Sequence, residues 1–143
     1  MVARDGTTAR PFRLAAPRVP ELAIHQQIAG VLCLELARPG HVSRAGVVWW
    51  SIDMASYEGT APGLRTSRGC IAGVPDIFVL HRGFAHHIEV KAPDGMVSLE
   101  QQSVATAILL ARGRYGVACS ADDALALLDA WGVPRAGRVR VAA

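Results

Sequence analysis

Two carboxylates and one lysine have residue types and a spacing that could carry out chemistry. Glu89 and Lys91 are separated by one apolar residue, and Asp76 precedes them after a Gly-Val-Pro segment. Alternate residues of a strand share a face, so Glu89 and Lys91 would be neighbours, roughly 7 Å apart along the backbone. A turn at Arg82-Gly83 predicts a hairpin that would bring Asp76 opposite a residue close to Glu89 or Lys91.

Phosphodiester hydrolysis is the chemistry that such a group favours. Two carboxylates held together repel each other, and a divalent cation such as Mg²⁺ relieves that repulsion. The cation can lower the pKa of a water and neutralise charge on a phosphodiester, while Lys91 orients or deprotonates the water or steadies the phosphate. One alternative stays open, a solvated sheet face with an ordinary glutamate–lysine pair. Against it, Glu89 and Lys91 lie in a run otherwise fit for burial, where charged residues need partners.

Helices and strands alternate along the chain and would position these residues. Ser98 with Gln101, and Ser120 with Asp123, predict capping boxes that open two of the helices. The order of the elements predicts an α/β fold with a mixed central sheet flanked by helices. The predicted elements are a helix over 21–37, a strand over 47–52, a hairpin of 77–80 and 87–91, a helix over 98–112, a strand over 115–119 and a helix over 120–131.

Length and composition are those of one folded domain. The chain has 143 residues, of which 51% are hydrophobic and 19% charged, enough apolar material to fill a core. A domain over 20–133 is predicted between a basic arm, 1–19, and a basic tail, 134–143, which would either touch phosphates or be solvated. The net charge of +3 permits a nucleic-acid partner without requiring one. Neither a signal peptide nor a membrane-spanning run is visible, which predicts a cytoplasmic, intracellular protein.

Cysteine, histidine and tryptophan residues add expectations about burial. The cysteines are odd in number and far apart, which argues against a disulfide framework or a zinc knuckle. Cys33 and Cys119 lie in apolar runs and are predicted to be small core residues. His86, beside the hairpin turn, is predicted to be solvated. Trp49 and Trp50 alternate along their strand, so one should lie in the core while the other could face a dimer partner or DNA.

Three motifs follow one another along the chain: Gly73-Val74-Pro75-Asp76-Ile77, Ile88-Glu89-Val90-Lys91-Ala92 and Ser98-Leu99-Glu100-Gln101. In this order they resemble the VRR-NUC family of virus-type replication-repair nucleases in the PD-(D/E)xK superfamily. The resemblance extends over the first helix and over residues 69 to about 131. It implies a restriction-endonuclease-like core, dependence on Mg²⁺ or Mn²⁺, and structure-selective endonucleolytic cleavage of branched DNA such as Holliday junctions. It also implies a homodimer of bacterial or phage origin.

The resemblance further implies roles for single residues. Glu21 matches an acidic residue that the family places near the metal, although a first-turn acid is also favoured by the helix dipole. Gln101 is implied to lie close to the catalytic lysine, although its capping role alone could explain it. The implied catalytic residues are Asp76, Glu89, Lys91 and Gln101, and the implied metal ligands are Glu21, Asp76, Glu89 and Val90.

Contacts with DNA are predicted from three further residues. Arg65 and Arg68 lie in a loop over 53–73 and could grip phosphates, the alternative being a flexible basic loop. His87 shares the face of Glu89 and could line the cleft, or be a half-exposed strand residue. Two other functions stay open: a DNA-junction-binding module without efficient catalysis, and a structural domain whose carboxylates stand more than about 8 Å apart, too far to share a cation.

Overall fold

A four-stranded sheet with helices on both faces is the frame of the protein. The structure, a computed structural model, describes residues 19–52 and 67–137. The order of helices and strands is the predicted one, and an α/β fold is confirmed. Within the described ranges no helix is long and apolar enough to cross a membrane. The elements are α1 (Glu21–Glu35), β1 (Val47–Ser51), β2 (Ile77–His81), β3 (Phe84–Val90), α2 (Leu99–Leu110), β4 (Arg114–Ala118) and α3 (Ala121–Ala130).

The sheet is mixed, as predicted. Its order is β1-β2-β3-β4, with β1, β2 and β3 antiparallel and β4 parallel to β3. Arg82 and Gly83 both have positive φ, 52° and 78°, as tight two-residue hairpin turns require. This turn returns the chain directly into pairing, with His81 opposite Phe84. For that reason β3 begins three residues earlier than the predicted 87–91.

One face of the sheet packs against α1 and α3 and forms the core. Trp49 is buried there, and its indole Nε1 donates to the Ala37 carbonyl at 2.7 Å, which ties β1 to the segment after α1. Trp50 points to the opposite face and is 40% exposed. The expectation that one tryptophan is core is confirmed. The buried apolar residues are Ile24, Ile28, Leu32, Val47, Trp49, Ile77, Val79, Ile88, Val90, Ala118, Ala124, Leu128 and Val133.

His86 belongs to this core, so the prediction that it is solvated is wrong. Because β3 begins at Phe84, His86 lies two residues before Ile88 and shares its buried face. Its side chain is 3% exposed, its Nδ1 is 3.2 Å from the Val79 carbonyl, and its ring lies 5.3 Å from Trp131. Burial lowers the pKa of His86, which favours the neutral ring.

Cys33 is exposed, so its predicted core position is also wrong. The buried stripe of α1 runs through Ile24, Ile28 and Leu32, at a spacing of one helical turn. Cys33 follows Leu32 directly and is rotated by about 100° from that stripe. Cys119 is partly buried, with its Sγ 3.8 Å from the Ala92 carbonyl.

Two helices begin at serine caps. The capping box at α2 is confirmed: Ser98 Oγ accepts from the Gln101 N–H at 3.2 Å, and Gln101 Oε1 accepts from the Ser98 N–H at 2.9 Å. At α3 the predicted box is only half formed. Ser120 Oγ accepts from the Asp123 N–H, but Asp123 Oδ2 accepts from the Cys119 N–H, one residue before the cap.

Candidate active site at the end of the central hairpin

The two predicted carboxylates meet where β2 begins and β3 ends. The β2–β3 register pairs Ile77 with Ile88, so the next pair outward is Asp76 and Glu89, side by side on the face opposite the core. Asp76 Oδ2 accepts a hydrogen bond from the Val90 N–H at 2.8 Å, which fixes this carboxylate to the neighbouring strand. The hairpin therefore brings the two carboxylates together as the sequence predicted.

Glu89 is a buried carboxylate, with only 2% of its side-chain area exposed. Its Oε1 accepts from Gln101 Nε2 and lies 3.3 Å from Lys91 Nζ, whereas its Oε2 is buried without a hydrogen-bond partner. Burial, and next the charge of Asp76, raise the pKa of Glu89 to about 7, against the opposing effect of Lys91. A proton or a cation at this site would relieve that conflict.

Lys91 links Glu89 to the first helix. It is 9% exposed, and its Nζ lies 3.3 Å from Glu89 Oε1 and 4.0 Å from Glu21 Oε2. Its backbone N–H donates to the Ala118 carbonyl, so the residue is held at the end of the sheet. Glu21, in the first turn of α1, is 49% exposed and stands at the rim of the site.

Gln101 makes the predicted capping contact and also contacts Glu89. The oxygen of its side-chain amide completes the α2 capping box with Ser98, and the nitrogen donates to Glu89. An amide has separate donor and acceptor ends, so the two bonds do not compete. The resemblance implied a position near the lysine, and Gln101 contacts the same Glu89 oxygen that Lys91 approaches.

Gly73, the first residue of the Gly-Val-Pro-Asp motif, lies against the first turn of α2. Its φ is +86°, and a Cβ there would stand 2.5 Å from the Glu100 carbonyl carbon and 2.7 Å from the Gln101 nitrogen. No residue other than glycine fits without displacing the helix. The motif thus lets the segment before β2 pack directly against the first turn of α2, from which Gln101 reaches Glu89.

The residues fit a divalent cation in part. Within residues 19–52 and 67–137, no three His, Cys, Asp or Glu side chains form a group that could hold a metal, because Lys91 lies between Glu21 and Glu89. Asp76 and Glu89, with the unpartnered Oε2, nevertheless offer the oxygen ligands that Mg²⁺ prefers. Ligation by Glu21 and by the main chain of Val90 stays a prediction.

His87 shares the face of Glu89 but lies toward the hairpin turn. Its Nδ1 is 3.2 Å from the Arg114 carbonyl and its ring meets Phe78 edge-on at 5.2 Å. It lines a cavity of about 360 Å³ together with Phe84 and Arg112. Burial lowers the pKa of His87, which favours the neutral ring. The predicted cleft position is compatible with this cavity, and contact with DNA stays a prediction.

The predicted contacts of Arg65 and Arg68 with DNA stay predictions. Arg65 lies outside the described residues, while Arg68 is exposed in the segment before Gly73. Arg135, within the predicted basic tail, makes ion pairs with Glu35 and Asp129 at 2.9 Å. Arg135 is therefore engaged with the domain.

The sequence pattern predicts that Tyr115 lies on a strand and indicates no function for it. It pairs with His87 across β3 and β4, so it shares the face of Glu89. Its hydroxyl is buried without a hydrogen-bond partner, and burial, followed by the charges of Glu89 and Asp76, raises its pKa to about 12. The strand period is the sequence signal for the face of Tyr115, whereas its register to His87 is known only from the structure.

Comparison of the sequence with protein families and with curated proteins finds no match. Membership of the VRR-NUC family therefore stays a prediction, which rests on the three quoted motifs.

Proposed function

We propose that this protein is a metal-dependent endonuclease that hydrolyses phosphodiester bonds of DNA, with a preference for branched substrates. One observation supports the proposal above the others. Asp76 and Glu89 stand opposite each other beside the buried Lys91, and one Glu89 oxygen is buried without a partner. Such an arrangement lowers the stability of the fold, because buried charges are destabilising unless they are paired. A purely structural role would not explain it. Perturbed carboxylates of this kind are concentrated at functional sites.

The roles of the side chains follow from their contacts. Asp76 and Glu89 would hold Mg²⁺ or Mn²⁺, with Glu21 and the main chain of Val90 as further ligands. When bound, the cation would supply a water of lowered pKa and neutralise phosphate charge. Lys91, whose Nζ already lies 3.3 Å from Glu89 Oε1, would orient the attacking water or stabilise the charged phosphate. Gln101 would keep the Glu89 carboxylate in one orientation.

The substrate would extend from the carboxylates toward the hairpin turn. His87 is two residues from Glu89 on the same strand face, a separation of roughly 7 Å. The cavity of about 360 Å³ that it lines also has Phe84 and Arg112 on its walls, groups suited to a base and a phosphate respectively. Branched DNA as the substrate and a homodimer as the active form are part of the proposal through the family resemblance.

Cleavage assays on branched, flapped and linear DNA with Mn²⁺ or Mg²⁺ test the proposal. Asp76→Asn is the sharpest variant, because asparagine keeps an acceptor for the Val90 N–H while removing the charge. We expect cleavage by the wild type, none by Asp76→Asn, and none with a chelator. Asp122→Asn, an exposed carboxylate of α3, is the matched control and should cleave normally. Equal cleavage by wild type and Asp76→Asn, or none by either, would contradict the proposal.

A second function is favoured by one contact. Lys91 Nζ lies 3.3 Å from Glu89 Oε1 and 4.0 Å from Glu21 Oε2, an arrangement that a DNA-junction-binding module without catalysis could also use. Junction binding that persists in chelator and in Lys91→Ala, with no hydrolysis in Mn²⁺, would support that function. Binding that strengthens with Mn²⁺ and precedes cleavage would support the nuclease. Light scattering on the same samples tests the proposed homodimer.

A further inference from the structure

Two buried polar atoms in the described part of the chain, Glu89 Oε2 and Tyr115 Oη, lack a hydrogen-bond partner. Both lie on the sheet face that carries the candidate site. Leaving a buried polar group unpaired costs about 1–3 kcal/mol, so natural proteins keep few such groups. That both occur on one face, with opposite hydrogen-bonding character, calls for a common explanation.

The strand register sets the relation between the two residues. Tyr115 pairs with His87, and Glu89 pairs with Val117, in the parallel ladder of β3 and β4. Tyr115 is therefore a diagonal neighbour of Glu89 on the same face, a relation within reach of a long aromatic side chain. The two groups are also suited to form a hydrogen bond, since the Tyr115 phenol hydroxyl can donate and an ionised Glu89 carboxylate can only accept.

The other contacts of Glu89 do not involve Oε2, the oxygen without a partner. Gln101 and Lys91 both approach Oε1, so they do not serve Oε2. The Asp76 carboxylate accepts from the Val90 N–H through its Oδ2 and makes no hydrogen bond to this oxygen. Among the described residues that face Glu89, Tyr115 is the group with a free hydroxyl proton.

We propose that Tyr115 is a positioning residue of the carboxylate site, its hydroxyl donating to the ionised Glu89 carboxylate or to a water bound beside it. The inference rests on the proposed function. In the metal-free protein the hydroxyl is unpaired and lowers stability. In the cation-bound protein it orients the Glu89 ligand, as partners behind metal ligands do. Tyr115 itself touches neither substrate nor the reacting phosphate.

Tyr115→Phe tests this proposal, because it removes the hydroxyl and keeps the ring. Calorimetric titration with Mn²⁺ should show affinity weakened by about 10-fold. The Tm of the metal-free protein should stay unchanged or rise, since an unpaired buried group is removed. In cleavage assays kcat should fall while KM for DNA stays constant.

Thr106→Val is the matched control, because it removes a hydroxyl that donates to the Gln102 carbonyl within α2. Its Mn²⁺ affinity should equal that of the wild type. Unchanged Mn²⁺ affinity in Tyr115→Phe would overturn the proposal, and so would a fall of several degrees in its metal-free Tm, which would assign the hydroxyl a structural bond.

The titration also separates this inference from the proposed function. If the wild type binds Mn²⁺ and cleaves no DNA, the nuclease is contradicted while Tyr115→Phe still decides the role of the hydroxyl. If Tyr115→Phe binds Mn²⁺ and cleaves as the wild type does, only the positioning role is overturned. A wild type that binds no Mn²⁺ contradicts both.

Discussion

The Glu89 carboxylate is the residue on which opposing forces are concentrated. Burial and the nearby Asp76 disfavour its charge, while Lys91 and the Gln101 amide favour it. The net result is a pKa raised to about 7, so the metal-free protein takes up a proton near neutral pH. A carboxylate with a raised pKa destabilises the fold when it is ionised. A cation bound in place of the proton would offset this loss of stability.

Stability of the metal-free protein should therefore fall as pH rises from about 4.5 to about 7, the unfolded and folded pKa values of Glu89. In that window the folded state binds more protons than the unfolded state, which gives the free energy of unfolding a negative slope. Glu89→Gln should remove this component and be more stable than the wild type at pH 8, by up to about 3 kcal/mol. Urea denaturation at several pH values measures it. Parallel pH curves for wild type and Glu89→Gln would contradict it.

Mn²⁺ affinity and cleavage should show the reverse dependence on pH. A cation binds the ionised carboxylate, so protonation of Glu89 below about 7 competes with it. We expect both affinity and rate to rise through neutral pH and then level off. Titration calorimetry between pH 5.5 and 8.5, values chosen to span roughly one unit or more on either side, measures the affinity. An affinity independent of pH would assign the metal to other groups.

At the scale of elements, the first turn of α2 holds the site together. Ser98 and Gln101 close its capping box, Gln101 also reaches Glu89, and Gly73 rests on its backbone. The hairpin supplies the carboxylates, but this helix end sets the orientation of one of them. Changes here should affect stability and activity together, unlike equivalent changes at α3.

Gly73→Ala should destabilise the protein by about 2–5 kcal/mol, since it combines a strained positive φ with a clash against helix backbone. Gly69→Ala is the matched control, because its φ is +78° and a Cβ would meet nothing within 4 Å. Gly69→Ala should lower the free energy of unfolding only through the strained positive φ, by about 1–2 kcal/mol. Chemical denaturation of both variants measures the difference. Equal losses would show that the contact of Gly73 with α2 is unimportant.

Ser98→Ala should lower the free energy of unfolding by about 1 kcal/mol, through loss of the bond from its Oγ to the Gln101 N–H. Cleavage should fall as well, since the turn that orients Gln101 would fray. Ser120→Ala removes the corresponding cap of α3 and should cost about the same stability with normal cleavage. The prediction fails if both variants keep, or both lose, the activity.

At the scale of the whole molecule, the segment after α3 connects α1 and α3, the two helices on one face of the sheet. Arg135 forms paired hydrogen bonds with Asp129 and a third with Glu35, and the Ala136 and Gly137 N–H groups donate to Glu35. Glu35 ends α1, whereas Glu21, at its other end, borders the site. A helix of 15 residues is about 22 Å long, so these contacts lie far from the candidate site.

Arg135→Ala should reduce stability by about 1–2 kcal/mol, a value discounted for solvent screening of these partly exposed pairs. Mn²⁺ affinity and cleavage at a temperature well below the Tm should stay at wild-type values. Arg38→Ala, at an exposed position, is the control and should change neither property. A loss of activity in folded Arg135→Ala would instead connect this segment with DNA.

Local sequence was sufficient for the elements and for the pairing of the carboxylates. The turn at Arg82-Gly83 and the period of β3 set Asp76 opposite Glu89, because hairpin register depends on a few neighbouring residues. The Ser98 cap was readable for the same reason. Each of these features arises within one hairpin or one helix turn.

Tertiary packing decided the rest. His86 is buried because β3 extends back to Phe84, and Cys33 is exposed because α3 and the sheet cover only one stripe of α1. The bond from Gln101 to Glu89 joins α2 to β3, and Tyr115 lies beside that carboxylate through the pairing of β4 with β3. Both depend on how separate elements pack. Periodicity indicates which residues share a face, but only the packing of whole elements decides what that face meets and how strongly its charges are perturbed.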